Sequence, residues 1–200
     1  MLDAVWIVPA LPAASFLVIL FFGKRLPKKG AGIGIAAVGA SFVLSCITAA
    51  QWIDRVSAAE GHSAGLGAFV GKGMLLSGSE QAVVKPVVHS INWWHSGGVS
   101  FGVGTYVDGL TVMMMFVVTI ISLLVHIYST GYMHGDRRYT WFFACLSLFT
   151  SSMLLLVVAD NTLQMLVGWE LVGLCSFMLI GFWWEDPANS RAAIKAFLTT

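Results

Sequence analysis

Glu170 is the only charged residue in the apolar run Leu163–Gly181, part of a stretch to Trp184 that is long enough to cross a bilayer as a helix. It lies seven residues past Leu163, which at 1.5 Å per residue places it roughly 10 Å into the membrane. An acid at that depth costs about 2.5–3.5 kcal/mol even on lenient insertion scales, and such residues characteristically mark ion or proton routes. Two opposed influences would set its proton affinity: burial favours the neutral acid, and a nearby cation favours the carboxylate. A movable positive group could therefore load and unload it. The competing reading is a protonated packing acid hydrogen-bonded to a neighbouring span.

Two other titratable side chains fall in apolar surroundings. Lys195 is framed by Ala192, Ala193, Ile194, Ala196 and Phe197. It reads either as an anchor whose ammonium snorkels to the headgroups or as a residue at the mouth of a proton route. His126 reads either as a satisfied structural histidine or as a relay, because imidazole titrates near neutral pH. Arg191, four residues before Lys195, is topological. His89 and His95, flanking Trp93–Trp94, read as loop residues. Asp108 and Asp160 stand at span ends, where they cap or hydrate helices.

The elements that must carry these residues are membrane helices. Of 200 residues 58% are hydrophobic and 10% charged, against about 25% charged in soluble domains. A net charge of +1 gives no basic patch for nucleic acid. The expected fold is an all-α polytopic membrane protein. Spans are expected over about 4–22, 31–52, 110–128 and 141–158, with a fifth carrying Glu170 and the start of a sixth at Ser190. Residues 1–52 hold the first two spans, 53–107 a long external loop, and 108–140 the third span with a cytoplasmic loop. Residues 141–200 are expected to begin a further helical module that Thr200 cuts short. Within the long loop, the Gly-, Ala- and Ser-rich first part has no period and is expected to be loosely folded. Alternation across Val99–Val103 after Gly97–Gly98 predicts a short hairpin.

Eight of the eleven Lys and Arg residues fall after spans one, three and five. The positive-inside rule puts that side in the cytoplasm and the N-terminus outside. The opening Met-Leu-Asp lacks a basic n-region, so the first segment reads as a retained span instead of a signal peptide. Cys46, Cys145 and Cys175 are far apart and form no CxxC pair, which excludes a cysteine metal site or disulfide framework. No cluster motif, GxGxxG after a strand or P-loop is present.

Certain runs resemble a known family: VDGLT at 107–111, VHIYSTGYM at 125–133, FFA at 142–144, SMLLLVVADN at 152–161, GWELVGLCS at 168–176 and AAIKAF at 192–197. They are similar to the L-type, antiporter-like membrane subunit of NADH:quinone oxidoreductase (respiratory complex I), whose mitochondrial counterpart is NADH dehydrogenase subunit 5. The resemblance covers about Asp108 to Thr200, and before Trp93 only helix count and topology agree. It implies a multi-pass subunit of the cell inner (plasma) membrane that translocates protons as part of a translocase. Glu170, Lys195 and His126 would be the route residues, with Glu170 foremost. NADH, FMN, iron–sulfur clusters and quinone would belong to partner subunits, and the partners would be other membrane-arm subunits and the lipid bilayer. The same motif also suits the large subunit of a multisubunit sodium/proton antiporter or the equivalent subunit of a membrane-bound hydrogenase. A non-transporting scaffold is the rival from another class.

Overall fold

The computed structural model describes residues 2–69, 84–97 and 99–199. Its helices are α1 (Ile7–Phe22), α2 (Ala31–Phe69), α3 (Gly109–Tyr132), α4 (Tyr139–Val157), α5 (Thr162–Ile180) and α6 (Pro187–Thr199), with strands β1 (Val87–Ser96) and β2 (Val99–Val107) between α2 and α3. The first five helices are long and apolar enough to cross a membrane. α1 packs on α2 and α4, and α3 packs on the same two, closing a four-helix ring. α5 lies against α4, and α6 against α5.

The ring has an apolar cluster at each end and a polar belt between them. Val5, Val8, Trp52, Met115 and Leu154 fill the end nearer the hairpin. Ile19, Tyr139, Phe143 and Phe182 fill the other, which carries the basic residues. The buried side chains between include Ser41, Thr119, His126, Ser147, Thr150 and Ser151. Part of this belt answers the prolines of α1. Pro12 has no N–H to give the carbonyl of Val8, and the Ser41 hydroxyl of α2 donates to that oxygen at 3.0 Å. Ser151 of α4 donates to the Pro9 carbonyl at 2.9 Å. Ser41 thus supplies the hydrogen bond that Pro12 cannot give to Val8 O and that lipid cannot offer, and Ser151 adds a second link between α4 and α1.

The hairpin is longer than the alternation at Val99–Val103 suggests. β1 and β2 pair antiparallel from Val87↔Val107 to Ser96↔Val99, with a bulge between Asn92 and Trp94. His89 and His95 therefore lie in a strand, not a loop, and His89 Nε2 sits 3.0 Å from Asp3 Oδ1. The outer edge of β2 is closed by the α4–α5 connection: Tyr106 N–H donates to Val158 O at 3.0 Å, and Asn161 Nδ2 donates to Gly102 O at 2.9 Å. An edge that would otherwise offer unpaired backbone groups is covered.

Three boundaries differ from the hydropathy reading. α2 continues past Trp52 to Phe69, because the apolar run sets the depth of a span, whereas Ala, Gln, Glu and Arg sustain a helix beyond it. The remainder of the loosely folded stretch, 70–83, lies outside the described residues. α5 stops at Ile180 with Gly181 as its C-cap, so Phe182, Trp183 and Trp184 form a turn and do not extend the helix. α6 starts at Pro187, a residue suited to the first helical position, three residues before Ser190.

Candidate proton-route residues

α5 begins at Asn161, whose side chain accepts from Gln164 N–H at 2.8 Å and caps the helix. Asp160, expected to cap this end itself, instead receives the Asn161 amide. Asp108 caps α3 as expected, accepting from Thr111 N–H at 2.7 Å. From its cap α5 presents Gly168 and Cys175 to α4, and both are buried. The approach at Gly168 is close: a Cβ there would lie 2.9 Å from backbone atoms of Leu156.

Glu170 points to the opposite side of α5. It is exposed within this chain, and its helical neighbours Leu166, Val167, Leu174 and Phe177 are 52, 48, 41 and 37% exposed. The carboxyl group is thus the single polar centre of an uncovered apolar face, eight residues from the first residue of α5 and ten from its last. Against lipid such a face would carry the full insertion cost of an acid. Packed against further protein, it would hold a titratable group at mid-depth.

Lys195 is also exposed, on α6. The ring of Phe177 faces that of Phe197 at 5.6 Å, and Gly181 abuts Ala193, so α6 runs back antiparallel along α5. This register sets Lys195 level with Leu179, nine positions from Glu170, or about 13 Å along the axis. Ala193 faces α5, and Lys195, two residues on, projects to the far side of α6.

His126 lies inside the four-helix ring and is fully buried. Its Nδ1 is 2.8 Å from the carbonyl of Ser122, one turn earlier. A carbonyl only accepts, so Nδ1 carries the hydrogen, and Nε2 is left to accept from Ser147 Oγ at 3.5 Å. The Ser122 hydroxyl in turn meets Thr150 Oγ1 across α3 and α4. Room for the ring comes from Gly34 of α2, where a Cβ would lie 3.4 Å from His126 Cδ2. Through Ser147 and the Gly168–Leu156 contact, His126 stands level with about Phe177, roughly 10 Å from the depth of Glu170. The three candidates are therefore not one cluster: Glu170 is alone at mid-depth, while Lys195 and His126 lie toward the basic end on different helices.

Gln164 escaped the sequence reading. Its side chain is buried and clasps one residue of β2: Oε1 accepts from Gly104 N–H at 2.9 Å, and Nε2 donates to Gly104 O at 2.9 Å. A second strongly polar side chain in an otherwise apolar span, six residues from Glu170, was the available signal. The hydroxyls around His126 gave none, because Ser and Thr are common in membrane helices.

A ring of apolar helices with an acid midway along the fifth defines a polytopic membrane protein. Residues 93–143 match the family described as NADH-Ubiquinone oxidoreductase (complex I), chain 5 N-terminus. Residues 159–200 match the family described as NADH:quinone oxidoreductase/Mrp antiporter, TM. F(420)H(2) dehydrogenase subunit L of Methanosarcina mazei is 39% identical over 98% of this chain and 24% of its own length. NADH-quinone oxidoreductase subunit L of Escherichia coli is 43% identical over 80% of this chain and 26% of its own. The same subunit of Mycobacterium tuberculosis is 36% identical over 96% and 27%. The chain belongs to the L-type (chain 5) subunit family of complex I. It spans about a quarter of the length of the relatives it matches.

Proposed function

We propose that this chain forms the N-terminal part of a proton-translocating L-type subunit, with Glu170 as the proton-loading site of a half-channel open toward the cytoplasm. The observation that carries the proposal is the isolation of Glu170 at the centre of α5 among exposed apolar neighbours. That face is insoluble in lipid as a carboxylate and becomes useful only when another segment brings a switchable cation to it. In this reading the N-terminus is outside, the basic end is cytoplasmic and the membrane is the inner (plasma) membrane. Lys195 then belongs to the cytoplasmic mouth, and the cation that switches Glu170 comes from elsewhere in the subunit. His126 relays only if its ring turns over between Ser122 and Ser147, since both present partners are neutral. Oxidation of the electron donor and reduction of quinone take place in partner subunits holding FMN and iron–sulfur clusters, and this chain answers them through the membrane arm.

The test is Glu170→Gln in the full-length subunit within its assembled complex. Proton pumping falls, and NADH:quinone turnover falls with it. Unchanged pumping at equal assembly defeats the assignment. One match bears the name of an antiporter as well as an oxidoreductase. Sodium/proton exchange by the subunit in vesicles without an electron donor would favour that second reading.

A further inference from the structure

At the basic end, the α1–α2 connection, the start of α4, and the end of α5 with the turn after it border a cleft of about 710 Å³. Lys24, Lys29, Arg137 and Arg138 line it together with Trp141, Met178, Phe182 and Trp184. Two ion pairs are formed among the described residues, His89–Asp3 and Arg138–Glu185, so Lys24, Lys29 and Arg137 bring charge to the cleft without a carboxylate in contact. Asp136 and Glu185 are acids beside the cleft-lining Arg138. Asp136 forms no ion pair among the described residues. It is already engaged by Arg138 N–H at 2.7 Å and the Trp183 indole at 3.2 Å. Arg138 is held in place by Glu185 at 2.8 Å and by the faces of Phe182 and Trp184, 5.1 and 5.8 Å from its guanidinium carbon. The Glu185 contact leaves most of its five N–H donors for another acceptor.

The backbone is also committed to this arrangement. Lys29 has φ +51°, a left-handed conformation that non-glycine residues adopt at a cost and that recurs at binding sites. Gly23 lets α1 approach Thr140 so closely that a Cβ would overlap its methyl group. The cleft is therefore a built feature at the level where the apolar helices end.

We propose that this cleft binds one anionic phospholipid, its phosphate among Lys24, Lys29, Arg137 and Arg138 and its acyl chains along Trp141 and Met178. The chemistry recognised is a phosphate whose negative charge no cationic headgroup neutralises. Its source is a lipid because the cleft far exceeds the size of an inorganic phosphate and half its lining is aromatic or aliphatic. Basic pockets between membrane helices are suited to such headgroups, and tryptophans settle at the same level.

The experiment uses the full-length subunit in its complex, in nanodiscs, with phosphatidylglycerol or phosphatidylcholine carrying a photoactivatable group near the headgroup. Cross-linked peptides are mapped by mass spectrometry. Phosphatidylglycerol labels 137–141 and 181–184 about tenfold more than phosphatidylcholine, as expected from several Lys and Arg contacts. The triple variant Lys24→Gln, Lys29→Gln, Arg137→Gln removes that preference and keeps Arg25, Lys28 and Arg138. Equal labelling of the wild type by the two lipids overturns the proposal, even should the variant fail to assemble. Loss of labelling on adding inorganic phosphate in large excess overturns it too, since the site would then be one for free phosphate.

Discussion

Replacing Gln164 by Met keeps the length of the side chain and removes both polar atoms that hold β2. Gln164 is 7% exposed, and the Gly104 N–H and C=O it satisfies are buried at 2.9 Å each. Leaving a buried donor or acceptor without a partner costs about 1–3 kcal/mol, so two such groups cost about 2–4 kcal/mol once partial relaxation is allowed. The hairpin is held to the α4–α5 connection by few other bonds, chiefly Asn161 to Gly102 and Tyr106 to Val158. The loss should therefore appear as local opening of the hairpin, not as unfolding of the ring. Amide hydrogen exchange at Gly104, measured on the full-length subunit in nanodiscs, should accelerate about 30- to 700-fold, at 1.4 kcal/mol per tenfold. Exchange within about threefold of the wild type would mean that the clasp does not hold the hairpin. Gln164→Glu makes a sharper control: its carboxylate can accept from Gly104 N–H but cannot donate to Gly104 O, so it should fail at neutral pH and recover when protonated.

Gly168→Ala places a methyl group 2.9 Å from the backbone of Leu156, which cannot move aside as a side chain could. α4 and α5 must separate, at about 1–3 kcal/mol, and thermal denaturation of the reconstituted subunit should shift downward; no shift would mean the helices are not in contact there. Ser41→Ala leaves the Val8 carbonyl unpaired beneath Pro12 and should cost about 1–2 kcal/mol, whereas restoring the helical bond with Pro12→Ala in the same chain should recover part of it. The Asp136 carboxyl is held below the usual carboxylate range, first by the Arg138 backbone N–H and then by the Trp183 indole and the charges of Arg138 and Lys29. A depressed carboxylate stabilises the fold above its unfolded pKa and loses that contribution as pH falls through the folded value. The basic-end loop should accordingly loosen only in acid, below the ordinary aspartate range, and Asp136→Asn should abolish that acid limb in a pH series of Trp183 fluorescence.

Much of this architecture is written in hydropathy. A run of apolar residues has one economical fate in a membrane, and all five expected spans occur as helices. Length along the helix axis is less legible. Nothing in an apolar window stops α2 at Trp52, and nothing in it shows that Gly181 ends α5 before three further aromatics. The hairpin was visible at Val99–Val103, where side chains alternate, but β1 reads as a loop because His89, Ser90 and Asn92 interrupt the pattern. What those positions do depends on backbone pairing with β2, which sequence periodicity cannot report. Among the titratable residues, Glu170 was conspicuous because its setting is anomalous within one helix. The partners of His126 come from α3 and α4, and the space for its ring from α2, so the environment exists only after the ring closes. The separation of Lys195 from Glu170 likewise depends on the antiparallel register of α5 and α6.

The measurement closest to the central claim is infrared difference spectroscopy of the full-length complex at rest and during turnover, comparing wild type with Glu170→Gln. A carboxyl C=O band, shifted by solvent deuterium, should grow and decay in the working wild type and be missing from the variant if Glu170 takes up and releases a proton. A wild-type spectrum in which no such band changes while protons are being pumped would contradict that claim.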